Sequence, residues 1–207
     1  PLAIYDKEKH TESIDKIALY LSSIGYFNSS INLTEKIRNK KIILNYEIKL
    51  WNQYFIDSIR YDIDDKRIKG LLEEDQAIAF LKKETPYDQQ NINKERTRIY
   101  DFLSDHGYYK FEKKYITFDI DTTLIKKNSL WVTVKLSSPP QQDHHKKYIV
   151  KAVNFYSSKN TESKKKNKLT EDQKVFFDQK SDGYNKKILS RNISIKQDHV
   201  YSKSEML

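Results

Sequence analysis

The chain contains two segments in which apolar residues recur every three or four positions. They cover residues 14–24 and 92–103, and the spacing predicts two helices that each bury one face. Each helix ends at a glycine that two aromatic residues follow, and the copies lie 82 residues apart. The six residues are Gly25, Tyr26, Phe27, Gly107, Tyr108 and Tyr109. Glycine can take the left-handed conformation that closes a helix, so we expect each aromatic pair to fold back onto the apolar face.

A strand-like segment is also repeated. Residues 54–61 match residues 148–155 in class at every position, at an offset of 94 residues. In both copies the apolar residues change face between the third and the sixth position, as they do where a strand carries a bulge. Because chance seldom reproduces an irregularity, we interpret the two segments as one repeated, bulged strand.

The remaining patterns predict two hairpins and one more helix. Apolar and polar residues alternate on both sides of polar turns at 38–41 and 126–128. Residues 67–82 keep one apolar face at helical spacing, and Pro86 then separates them from the next helix, which Asp88 can cap.

These elements form one complete unit in the middle of the chain. Its order is strand 54–63, helix 67–82, helix 89–106, strand 113–121 and strand 129–137. We therefore predict an α+β fold built from tandem small β-α-α-β-β modules, each a three-stranded mixed sheet covered by two helices.

The predicted unit divides the chain into three parts. Residues 54–141 form the complete module, and residues 1–53 supply the second helix and last hairpin of an incomplete one. Residues 146–207 start another incomplete module, with a Lys-rich insertion at 157–180.

The connecting motifs of the middle unit resemble those of the polypeptide-transport-associated (POTRA) domain of the BamA and TamA superfamily, which includes a lipid-anchored TamL-type branch. The matching residues are Thr85-Pro86-Tyr87-Asp88, residues 95–103, Gly107-Tyr108-Tyr109 and residues 118–123. The resemblance implies a segment without enzymatic activity and without cofactors, at the periplasmic face of the outer membrane. It also implies a parent protein with a membrane β-barrel. The partners that it implies are unfolded outer-membrane proteins and either accessory subunits of an assembly complex or a periplasm-spanning protein.

The same resemblance implies a binding edge. In the family the second strand of each module lies at the edge of its sheet, where an extended segment of another chain can add as a strand. The residues expected there are Tyr115, Ile116, Thr117, Phe118, Asp119 and Ile120.

Composition excludes several other classes of protein. The 207 residues include no cysteine, which rules out disulfides, thiolate metal sites and a cysteine nucleophile. The four glycines lie far apart, so no glycine-rich phosphate loop or G-x-S-x-G elbow is possible. We expect no catalytic residue.

Two acidic or histidine-containing patterns raise the question of a metal. His144 and His145 stand beside Asp143, but adjacent linker residues point in different directions, so we expect a polar linker and no metal. The paired carboxylates Asp119 and Asp121 are more simply solvent-facing positions of a strand.

An alternative function is nucleic-acid binding. The net charge is +9, and tyrosines on strands can stack on bases. We expect instead that Tyr46, Tyr54, Tyr108 and Tyr148 pack in cores or onto helix ends, and hence no nucleic-acid partner.

Overall fold

A computed structural model describes residues 8–39, 41–75, 78–123, 126–155, 176–177, 195 and 197–206. Its helices are α1 (Glu8–Ser23), α2 (Lys66–Glu74) and α3 (Gln89–Asp105), with 3-10 turns at Lys113–Tyr115 and Ser204–Met206. Its strands are β1 (Ser30–Arg38), β2 (Lys41–Lys49), β3 (Phe55–Asp62), β4 (Ile116–Asp121), β5 (Ser129–Leu136), β6 (Asn154–Phe155) and β7 (Phe176–Phe177). The α+β class that the sequence predicts is confirmed. Most of the Lys-rich insertion lies outside the described residues.

The strands form three separate sheets within the described part of the chain. β1 and β2 make an antiparallel hairpin, and β6 and β7 pair in parallel. The central sheet has the order β3-β5-β4, in which β5 runs parallel to β3 and antiparallel to β4. This is the mixed three-stranded sheet that the sequence predicts for the middle unit.

Two compact units account for the chain's internal contacts. One comprises residues 1–98 and 114–137, and the other comprises residues 99–113 and 138–207. The division into three modules with boundaries near residues 53 and 141 stays a prediction.

The core of the first unit forms where β3 and β5 meet the segment before α3. Its buried residues are Ile56, Leu81, Tyr87, Ile92, Leu130 and Val132. β3 carries the predicted bulge, since its register with β5 shifts between Ile56 and Ser58. The extra residue is Asp57, whose carboxylate accepts hydrogen bonds from Lys126 Nζ at 2.6 Å and Trp131 Nε1 at 3.2 Å. The bulge lets Ile56 and Ile59 both face the core.

The helix predicted over residues 67–82 is too long. α2 ends at Glu74, and Ile78, which was expected on its apolar face, is 65% exposed. A long-range contact explains the difference, because the Phe80 backbone N–H donates to Glu95 Oε2 at 2.8 Å instead of continuing a helix. Similarly, the strand expected from residue 113 begins at Ile116, after the 3-10 turn.

Glu95 belongs to a buried cluster of charges. It is fully buried, its Oε1 lies 2.6 Å from Arg98 Nη2, and Arg98 also contacts Asp75. Burial alone would lower the pKa of Arg98, but the hydrogen bond and charge of Glu95, with Asp75, raise it above its ordinary value. Burial also raises the pKa of the neighbouring Tyr61.

We expect Glu95→Ala to lower the free energy of unfolding by about 3 kcal/mol, because it leaves Arg98 short of a partner and the Phe80 N–H without an acceptor. The exposed Glu12 is the matched control. It pairs with Lys16 at 2.6 Å on α1, and Glu12→Ala should leave the stability nearly unchanged because water screens this exposed ion pair. Chemical denaturation of both variants measures the difference, and equal stabilities would contradict a structural role for the cluster.

Candidate functional site

The edge of the central sheet is formed by β4, which pairs with β5 on one side and with no other described strand on its other side. All residues of β4 are in register with β5, from Ile116 opposite Leu136 to Asp121 opposite Trp131. β4 therefore lies at one edge of the described sheet, and partner binding along residues 115–120 stays a prediction. Tyr115 precedes the strand and lies in the 3-10 turn.

One hydrogen bond shows which backbone groups of β4 point outwards. The Ser137 N–H donates to the Tyr115 carbonyl at 2.9 Å, so these two residues face each other through backbone bonds. In an antiparallel pair such residues alternate. Thr117 and Asp119 therefore direct their backbone groups to β5, whereas Phe118 and Ile120 direct theirs outwards.

The first outward backbone carbonyl of β4 already accepts a hydrogen bond from a side chain. The Ile116 carbonyl accepts Arg96 Nε at 3.3 Å, and the Arg96 guanidinium also lies over the Phe118 ring, 5.2 Å from its centroid. Arg96 thus occupies the first outward acceptor of the strand. The open stretch of the edge runs from Phe118 to Ile120.

The side chains of β4 also alternate, between a face that packs against the core and a face that is exposed. Tyr115 and Ile116 are buried, and Phe118 and Ile120 pack against the core of the first unit. Thr117 and Asp119 are exposed, and Asp119 forms an ion pair with Lys135 at 2.5 Å. Phe118 and Ile120 therefore direct backbone groups outwards while their side chains pack against the core.

The glycine that ends α1 accepts the start of β3, in an arrangement that we call the first joint (Gly25, Phe27, Tyr54 and Tyr87). The Tyr54 N–H donates to the Gly25 carbonyl at 3.0 Å, and the Tyr87 N–H donates to the Tyr54 carbonyl at 2.9 Å. The Phe27 ring contacts both tyrosine rings, each with a centroid separation of 5.2 Å. Helix end, strand and the Pro86 segment are thus held together.

The second joint (Gly107, Tyr109, Tyr148 and Tyr201) repeats this arrangement. The Tyr148 N–H donates to the Gly107 carbonyl at 2.8 Å, and the Tyr201 N–H donates to the Tyr148 carbonyl at 3.0 Å. The Tyr109 ring lies 5.8 Å from that of Tyr148 and 4.9 Å from that of Tyr201. Each of the two hydrogen bonds and two ring contacts of the first joint thus has a counterpart in the second.

The match continues two residues further along β3 and along the extended segment that begins at Tyr148. In the first joint the Glu84 N–H donates to the Ile56 carbonyl, and in the second the Asp198 N–H donates to the Val150 carbonyl, both at 2.7 Å. Glu84 and Asp198 both have positive φ angles, of 64° and 61°. The sequence predicted the glycine and aromatic positions of these motifs, but nothing in it distinguished Glu84 and Asp198 as left-handed residues.

The remaining motif residues also have defined places. Pro86 forms an isolated β-bridge with Phe55, and Val200 forms the corresponding bridge with Ile149. The Tyr26 N–H donates to the Leu21 carbonyl at 2.9 Å, which completes the helix cap. Tyr108 is 1% exposed. Three of the tyrosines considered for base stacking, Tyr54, Tyr108 and Tyr148, are thus engaged in packing.

The two histidines that were considered as metal ligands lie in different surroundings. Among the described residues no group of three His, Cys, Asp or Glu side chains is placed to hold an ion. His145 is buried with its ring 4.7 Å from that of Phe111, whereas the adjacent His144 is exposed. Within the same residues, no helix has the length and apolar character needed to cross a membrane.

We expect Gly107→Val to lower the free energy of unfolding by about 2 kcal/mol or more. Gly107 has a φ of 96°, and a Cβ there would lie 2.7 Å from Val200 Cγ1. Gly70→Ala is the control, because Gly70 lies in α2 with no described atom within 4 Å of an added Cβ. That change should stabilise the protein by about 0.5–1 kcal/mol. Thermal unfolding compares the two, and an unchanged midpoint in Gly107→Val would contradict the strain at this position.

Comparisons with known proteins give structural matches only. No family model and no curated protein matches the chain. A crystal structure of Haemophilus influenzae BamA POTRA domains 3–5 matches 98% of this chain over 67% of its own length, with 14% identity and a TM-score of 0.46. BamA from Haemophilus ducreyi lacking POTRA domains 1–3 matches 64% of this chain over 23% of its own, at 12% identity and a TM-score of 0.40.

A third match is also a solved structure. POTRA domains 1–3 of the periplasmic domain of Omp85 from Anabaena match 96% of this chain over 66% of their own length, at 7% identity and a TM-score of 0.35. The chain is similar to POTRA domains of BamA and Omp85 proteins.

Proposed function

We propose that this chain is a POTRA-type binding segment of an outer-membrane protein assembly factor and acts in the periplasm without catalysis. In this proposal it binds unfolded outer-membrane proteins, or accessory partners of the assembly machinery, as an added strand beside β4. The observation that carries the proposal is the outward direction of the Phe118 and Ile120 backbone groups, at an edge where β4 pairs with no other described strand.

Recognition through the main chain suits a partner that varies in sequence. A strand that adds to β4 would exchange N–H and C=O bonds with Phe118 and Ile120, and these bonds do not depend on the side chains of the client. Selectivity would come from the exposed side chain of Asp119, which lies between the two outward positions.

The ends of the open stretch limit the register in which a client can dock. Arg96 holds the Ile116 carbonyl at one end, and at the other Asp121 accepts hydrogen bonds from the Thr123 hydroxyl at 2.7 Å and backbone N–H at 2.9 Å. Only a short strand can therefore be added. A short edge also protects a protein against edge-to-edge aggregation with copies of itself.

The test replaces Phe118 with proline and with alanine. Both changes remove the ring, but only proline removes the outward N–H and places a pyrrolidine ring in the path of an incoming strand. We expect Phe118→Pro to bind a synthetic peptide from an outer-membrane protein strand about tenfold more weakly than Phe118→Ala. Isothermal calorimetry measures the affinity, and circular dichroism checks the fold.

A second pair of variants checks that the result does not depend on the Phe118 side chain. Ile120→Pro and Ile120→Ala differ in the same way at the other outward position, and Thr117→Ser serves as a control that should leave binding unchanged. If each folded proline variant binds as tightly as its alanine counterpart, strand addition at β4 is wrong.

A further inference from the structure

Position 105 distinguishes the two joints. Its counterpart in the first joint is Ser23, whose hydroxyl donates to the Tyr20 carbonyl at 2.7 Å and so stays within α1. Asp105 instead reaches the segment that follows Tyr201. Its Oδ1 accepts the Ser202 hydroxyl at 3.1 Å and the Ser204 backbone N–H at 2.7 Å.

Equivalent backbone N–H groups are therefore bound by carboxylates on different segments in the two joints. After Tyr87, Asp88 accepts the Gln90 N–H at 2.8 Å and caps α3 from its own end. The equivalent residue after Tyr201 is Ser202, and the equivalent donor is the Ser204 N–H. That donor is accepted by Asp105, which lies at the end of the preceding helix.

A second contact lies one turn earlier on α3. Lys203 Nζ is 2.6 Å from Asp101 Oδ1 and 4.6 Å from the centre of the Tyr100 ring. The counterpart of Asp101 in the first joint is Leu19, which is 69% exposed. The first joint thus has an apolar residue where the second has an ion pair.

The charge on Asp105 strengthens its hydrogen bonds. Burial alone would raise the pKa of this carboxyl, but the Ser204 N–H and the Ser202 hydroxyl lower it below its ordinary value. Asp105 is ionised at neutral pH as a result. Hydrogen bonds to an ionised acceptor are stronger than those between neutral groups.

We propose that Asp105 is a positioning residue that couples the end of α3 to the 3-10 turn at Ser204–Met206, so that the second joint is held more firmly than the first. This proposal does not depend on client binding at β4. The chain then has two joints with the same hydrogen-bond pattern and different resistance to opening.

Amide hydrogen exchange of the full chain tests the coupling residue by residue. We expect Asp105→Ala to accelerate exchange of the Tyr148 and Tyr201 N–H groups about tenfold, because their bonds open when the segment after Tyr201 is released. The Tyr54 and Tyr87 N–H groups of the first joint should be unaffected. Ser23→Ala, the matched control, should change neither joint.

A double variant separates coupling from simple helix capping. Asp105→Ala with Ser202→Asp gives the second joint its own cap, as Asp88 provides in the first, but restores no link to α3. Fast exchange at Tyr148 and Tyr201 should persist in this variant. The proposal is overturned if the added cap restores slow exchange, if Asp105→Ala leaves both groups unchanged, or if it accelerates both joints equally.

Discussion

A backbone carbonyl at the end of a helix fixes the position of a later extended segment in both halves of this chain. Gly25 and Gly107 have φ angles of 90° and 96°, and each presents its carbonyl to a tyrosine N–H. Tyr54 directly precedes β3, and Tyr148 directly precedes the isolated β-bridge of Ile149. A Cβ on Gly25 would lie 3.2 Å from the Tyr54 carbonyl oxygen, which is closer than ordinary van der Waals contact, so a side chain there would require the backbone at Tyr54 to shift. The strand, the aromatic stack and the segment around Pro86 all take their positions from this one bond.

Features that depend on neighbouring residues could be predicted from the sequence. The glycine-terminated helices, both hairpins and the bulge at Asp57 follow from periodicity and from the conformational freedom of glycine. The end of α2 could not be predicted, because the acceptor of the Phe80 N–H is a carboxylate on α3. The direction of the β4 backbone groups could not be predicted either. The alternation of apolar and polar residues gives the two faces of a strand, but it does not show which N–H and C=O groups point outwards.

The first unit also shows how a charged cluster can fix a loop. Glu95 is buried beside Arg98, and its second oxygen holds the backbone at Phe80. Ala79 and Leu81, on either side of Phe80, are thereby placed in the interior while the Phe80 side chain stays half exposed. The desolvation of the charges is offset by hydrogen bonds that an apolar cluster could not make, and those bonds select one path for the chain.

The bulge in β3 constrains how this chain can evolve. Asp57 is an extra residue that the register with β5 passes over. Deleting it would leave Ile59 opposite Val132 and facing the core, whereas deleting Arg60 would turn the rest of the strand to the opposite face. We therefore expect related sequences that have lost one residue from this strand to have lost it at the bulge, and to gain or lose residues in the turn at 38–41.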